Sequence, residues 1–216
     1  MTVSWHIICE KFLNFCGKKY NVDFCYNQTM KTAFIIHGSF GNPNENWFPW
    51  LKVELEKIGY LVFVPEFPTP ENQSLNSWRK VFDEYKNIIS DETIFIGHSL
   101  GPAFILDILE NIDVEISACF FVAGFLGLLG NVEFDEINKT FTDRYFDWNK
   151  IKLHSKDFFT YHSDNDPYLP MNKAMELADK LDIKVTEIIG AGHFNADSGY
   201  IKFKQLLQNI NSYNNT

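Results

Sequence analysis

From residue 32 onward, short and mostly apolar runs alternate with longer stretches in which apolar side chains recur every three or four positions. The runs at 33–36, 61–64, 94–96, 116–122, 158–161 and 184–188 predict strands. The stretches at 47–58, 75–89, 103–109, 171–181 and 200–210 predict helices, and in the first of them Phe48, Leu51, Leu55 and Ile58 share one face. Strand–helix alternation this regular predicts an α/β chain, with a parallel sheet, helices on both faces and right-handed crossovers. Strands that lack polar alternation fit a sheet buried on both sides.

One connection breaks the rhythm. Residues 123–150 follow the fourth strand with Gly124, Phe125, Gly127 and Gly130, then Phe134, Phe141, Tyr145, Phe146 and Trp148. A long aromatic insertion at the C-terminal edge of a sheet is expected to be a lid or pocket wall; the plainer reading is a loop that buries its aromatics. Residues 1–29 stand outside the alternation as an N-terminal extension with a short helix over 7–15. That leaves residues 30–216 as a single domain.

Composition then narrows the class. A chain of 216 residues with 45% hydrophobic and 22% charged residues suits one folded domain, and 21 Phe point to a core built on aromatic rings. The formal net charge is -9 with no basic stripe, which argues against nucleic acid and anionic membrane surfaces. No apolar run reaches spanning length and no secretory signal pattern opens the chain. Cys9, Cys16, Cys25 and Cys119 match no zinc spacing, and Cys119 lies in an apolar strand. All four are expected as reduced thiols in a cytoplasmic protein, with a disulfide among the first three as the alternative.

The chemistry starts at residues 93–101, T-I-F-I-G-H-S-L-G. An apolar strand, a glycine-flanked Ser99 and then a helical segment form the context of a nucleophile elbow. An activated serine needs a base and an acid that orients the base, and this architecture delivers them in the order Ser, acid, His from later strand ends. After the fifth predicted strand comes S-D-N-D-P-Y-L-P at 163–170; after the sixth comes G-A-G-H-F at 190–194. His193 is the candidate base. His6, His154 and His162 are poorer rivals, and His98 lies inside the elbow beside Ser99. Asp166, directly before Pro167, is favoured as the acid over Asp164, which is better placed to shape the turn. An oxyanion hole needs two backbone amides. One is expected from Leu100; the other is expected from the H-G-S-F loop after the first strand, with Ser39 the first choice and Phe40 the second. His37, Phe40, Trp47, His98 and Phe125 are candidate pocket residues.

His37-Gly38, Trp47, Trp50 and the three motifs at 97–101, 163–170 and 190–194 together resemble the small serine hydrolases of the retinoblastoma-binding-protein type and their YdeN-type bacterial relatives. The resemblance runs from about residue 31 to near the C-terminus. It implies a compact α/β-hydrolase fold of about six mostly parallel strands in the order 2-1-3-4-5-6. It also implies a triad falling on Ser99, Asp166 and His193. The activity so implied is metal-free and cofactor-free hydrolysis of small carboxylic esters or amides. Two other readings compete: a hydrolase-fold protein that works as an interaction module for a protein partner, and a flavodoxin-like nucleotide or flavin binder. The motif loops contain no Arg or Lys, so a strongly anionic substrate is not expected.

Overall fold

A computed structural model describes residues 30–215. The N-terminal extension, its short helix and Cys9, Cys16 and Cys25 lie outside the described residues. Strands β1 (Thr32–Ile36), β2 (Leu61–Phe63), β3 (Thr93–His98), β4 (Ile116–Val122), β5 (Ser155–Ser163) and β6 (Val185–Ile188) pair in parallel in the order β2-β1-β3-β4-β5-β6. The order reverses between β1 and β3, so the crevice outside their carboxyl ends is where such a sheet binds ligands. Every residue of β1 and β3 is buried, as their unbroken apolar runs require.

Aromatic rows build the core. Phe34 pairs in register with Phe63 and Phe95, and the rings stack at 5.2 and 5.1 Å. On the opposite side of the sheet, the register partners Phe120 and Phe159 stack at 4.8 Å under Tyr213. Well-placed aromatic pairs each add about 0.5–1.5 kcal/mol beyond their burial. Cys119 is buried in β4 as a free thiol, and burial pushes its titration upward, so it serves as a small hydrophobe.

The helices among the described residues are α1 (Phe48–Lys57), α2 (Leu75–Phe82), α3 (Gly101–Glu110), α4 (Val132–Thr142), α5 (Trp148–Leu153), α6 (Met171–Leu181) and α7 (Lys204–Tyr213). Two of these differ from the expected bounds, and two, α4 and α5, lie where no helix was expected. The helix expected over 75–89 ends at Phe82 and resumes as a 3-10 turn at Lys86–Ile88, with Tyr85 edge-on to Phe34 and Phe63. The helix expected from 200 starts at Lys204, because Tyr200 leaves the turn at Gly199 to pack against Phe194. The 123–150 insertion is no loop. It folds into α4 and α5, capped by Asn131 and Asp147, whose side chains accept from Phe134 and Lys150 amides.

That insertion is fastened to the elbow helix. Buried Asp107 of α3 accepts two hydrogen bonds from Arg79 of α2, at 2.7 and 2.5 Å, and lies 3.0 Å from Arg144, which also pairs with Glu110. Phe141 packs edge-on against Trp78, itself stacked on Phe67 at 4.5 Å. No helix among the described residues is long and apolar enough to cross a membrane.

Candidate active site

The turn between β3 and α3 carries Ser99 at φ 58, in the left-handed region that a residue with a Cβ normally avoids at a cost of about 1–2 kcal/mol. The Ser99 amide is anchored to the Val122 carbonyl of β4 at 2.9 Å. Gly101 follows because α3 starts against β1, where a Cβ would strike the Ile36 carbonyl oxygen. The strain therefore sits on the candidate nucleophile while the flanking position is kept bare. Ser99 has little exposed surface, and none of the described hydrogen bonds uses its hydroxyl.

The loops after β5 and β6 are stitched together residue by residue. Ser163 Oγ accepts from the Ala191 amide at 2.9 Å and Asp164 Oδ1 from Gly190 at 2.7 Å. Asn165 Oδ1 accepts from the Gly192 amide at 2.8 Å. Asp166 completes the series: its Oδ2 lies 2.8 Å from His193 Nδ1, and its Oδ1 accepts from the Tyr168 and Leu169 amides at 2.9 and 3.0 Å. The geometry brings Asp166, not Asp164, to the imidazole. The clamp made by 163–165 escaped the sequence reading, although a run of side chains rich in acceptors facing a Gly-Ala-Gly lead-in is the signal for it.

The far side of the His193 loop is held as firmly. Trp47 Nε1 donates to the Phe194 carbonyl at 2.9 Å, and His98 Nε2 lies 2.8 Å from the His193 carbonyl. A carbonyl only accepts, so His98 carries its proton on Nε2. The rings of His98 and His193 are 4.8 Å apart, which sets the His193 loop against the elbow.

After β1, Gly38 approaches the elbow closely enough that a Cβ there would lie 2.7 Å from Ser99 Cβ. The Phe40 amide is spent on Thr69 Oγ1 at 2.7 Å. Among the described hydrogen bonds none takes the amide of Ser39 or Leu100. Of the two candidates in this loop, Ser39 is the one left with a free donor.

The expected pocket residues fall mostly behind the site, which corrects that expectation. His37 is fully buried between Phe67 and Trp78, with Nδ1 on the Gly38 carbonyl and Nε2 accepting from the Phe67 amide. Trp47, His98 and Phe125 are buried as well, since each is consumed by core packing or loop anchoring. Phe40 alone of the five faces out, 59% exposed, with its ring 6.3 Å from half-buried Phe134. Exposed Tyr168, not anticipated, stands edge-on to His193 at 5.1 Å.

Electrostatics separate the groups. Burial alone would raise Asp166, but hydrogen bonding and charge from His193 and the two amides outweigh it, so the carboxyl lies below its usual range and stays ionised. Burial, with His193 alongside, pushes His98 down to about 3, and burial also lowers His37. Both rings stay neutral in the fold at a pH where the unfolded chain protonates them. Between the ordinary value of 6.5 and about 3, the unfolded state therefore binds more protons. Stability should fall with pH through that window by about 1.4 kcal/mol per unit for His98 alone. Urea titrations from pH 7 to 4 should show a slope that His98→Gln flattens by that amount; equal slopes would show that His98 protonates in the fold.

A serine raised on a strained turn after the third strand of this sheet, with an acid–histidine pair on the loops after the fifth and sixth, is the plan of the α/β hydrolases, and the chain falls in that class. More narrowly, it belongs to the serine hydrolase family, which matches residues 33–212. It is similar to YdeN of Bacillus subtilis (strain 168), at 29% identity over 186 residues, 85% of this chain and 96% of the relative. The crystal structure of the ydeN gene product superposes with a TM-score of 0.80 at 28% identity, covering 86% of this chain and 100% of that one. Serine hydrolase RBBP9 of Rattus norvegicus is 28% identical over 165 residues, 75% of this chain and 86% of its own length. Est1E from Butyrivibrio proteoclasticus shares the fold, with a TM-score of 0.59 at 16% identity over 85% of this chain and 90% of that one.

Proposed function

We propose that the chain hydrolyses small, uncharged carboxylic esters or amides through an acyl-enzyme on Ser99. The observation that carries this reading is the pairing of ionised Asp166 with His193 Nδ1 at 2.8 Å, together with a serine held at φ 58 directly after His98, whose ring lies 4.8 Å from that of His193. A proton kept on Nδ1 leaves Nε2 as the basic atom of the ring. Ser99 Oγ attacks the substrate carbonyl as its proton passes to Nε2. The oxyanion is received by the amides of Ser39 and Leu100, and the imidazolium returns the proton to the departing alcohol or amine. Water, deprotonated by the same Nε2, then releases the acid and frees Ser99. In this structure the serine–imidazole hydrogen bond is not formed, as is common before substrate binds.

The rim supports an apolar acyl or leaving group. Phe40, Phe134 and Tyr168 border the site, and no Arg or Lys stands in the motif loops. A protein working only as an interaction module has no use for a strained serine backed by a locked Asp–His pair. Turnover of p-nitrophenyl esters of graded chain length, run beside aminoacyl amides, tests the reading. Short to medium or aromatic acyl esters should be cleaved. Failure to cleave any of them, together with no adduct on exposure to a fluorophosphonate, would defeat it.

A further inference from the structure

The Ser39–Phe40 turn is not self-supporting. Phe40 sits at φ 60, and a bulky residue persists in that region only where its surroundings over-determine it. The support here is polar and comes from two other segments. The Phe40 amide donates to Thr69 Oγ1 at 2.7 Å, and the Thr69 hydroxyl donates onward to Gln73 Oε1 at 2.5 Å. Gln73 Nε2 lies 3.1 Å from the Ile137 carbonyl, 2.8 Å from Asn138 Oδ1 and 3.0 Å from Ser39 Oγ. Ser39 Oγ in turn donates to Asn138 Oδ1 at 2.5 Å.

The directions in this network are forced. The Ile137 carbonyl can only accept, so the nitrogen of Gln73 faces α4 and its oxygen faces Thr69. Asn138 must then present Oδ1 to both Gln73 and Ser39. Its other end is left bare: Asn138 is 1% exposed, and Nδ2 finds no partner among the described residues. An apolar residue at this buried helical position would avoid that cost, so packing of α4 does not account for the amide. What Asn138 supplies is its oxygen, delivered to the turn.

We propose that Gln73 and Asn138 are positioning residues for the oxyanion hole, through which the insertion at 123–150 aims the Ser39 amide at the reacting carbonyl. This rests on the hydrolase reading above. The insertion is thereby a structural arm of the catalytic centre as well as a wall. An aim lost at one oxyanion donor weakens the transition state while leaving ground-state binding alone.

Gln73→Leu and Asn138→Leu should each lower kcat by about 10- to 100-fold with KM changed less than about twofold, in proteins that melt as a single transition. A purely structural role would lower Tm without splitting kcat from KM. Unchanged kcat in folded variants, or a raised KM at constant kcat, would overturn the proposal. If Asn138→Leu does not fold, Gln73→Leu at its half-buried position decides. A second readout needs no turnover: the Ser39 and Phe40 amide resonances should shift in Gln73→Leu, and the Phe40 amide should exchange faster. If those signals are unchanged, the network does not hold the turn, whatever the activity. If wild type cleaves no ester while they do shift, the hydrolase reading fails and the mechanical link stands.

Discussion

Ser99→Ala is expected to abolish ester turnover, lowering kcat by about five orders of magnitude, while the protein keeps its fold. The loss is large because the serine, imidazole and carboxylate act as a unit, and with the nucleophile gone the remaining two have nothing to activate. Alanine retains a Cβ, so the strained φ of 58 at this position is preserved and stability should hardly move. Ser99→Gly should be equally inactive yet more stable by about 1 kcal/mol, since glycine carries no penalty in that region. Intact-protein mass after fluorophosphonate treatment, with urea titrations alongside, checks both. Wild type should gain one adduct, and neither variant should. An adduct on Ser99→Ala would place the reactive serine elsewhere.

Much of this candidate site was legible because its parts sit at strand ends, most of them beside glycines. His37-Gly38, the 97–101 elbow, the acid run at 163–166 and the lead-in to His193 each follow a predicted strand, and a parallel sheet carries all such ends to one edge. What the sequence hid was direction. Trp47, at the start of α1, and His98, at the end of β3, stand next to the candidate site in sequence, yet both turn inward to hold the Phe194 and His193 carbonyls, and only tertiary contacts decide that. The helix α4 was in principle readable. Asn131 caps it, Glu133 and Asp135 fill its first turn, and Phe134, Ile137 and Phe141 fall at helical spacing. The preceding glycines at 124, 127 and 130 made the whole stretch look like a loop. The link from Gln73 to Asn138 spans 65 residues and has no local signature at all.

Asp166→Asn should lower kcat by about 10⁴-fold, whereas Asp164→Asn should cost about tenfold or less. The asymmetry follows from what each carboxylate touches. Asp166 holds His193 Nδ1 at 2.8 Å while two backbone amides lock its other oxygen, so an asparagine there can turn its NH₂ toward Nδ1 and drive the imidazole proton to Nε2. The ring then presents a donor to Ser99 where a base is needed. Asp164 reaches only the Gly190 amide, a bond that an asparagine oxygen can keep. The pH dependence separates the roles further. Because the Asp166 carboxyl is held below its usual range, its contribution to stability is present above the ordinary carboxylate value and is lost as pH falls through the lowered folded one. Asp166→Asn should therefore remove an acid-labile part of the stability of wild type, visible in melts below about pH 4, while Asp164→Asn leaves it in place. Comparable losses of kcat in the two variants would mean that the 163–166 loop acts only as a clamp and that His193 takes its tautomer from elsewhere.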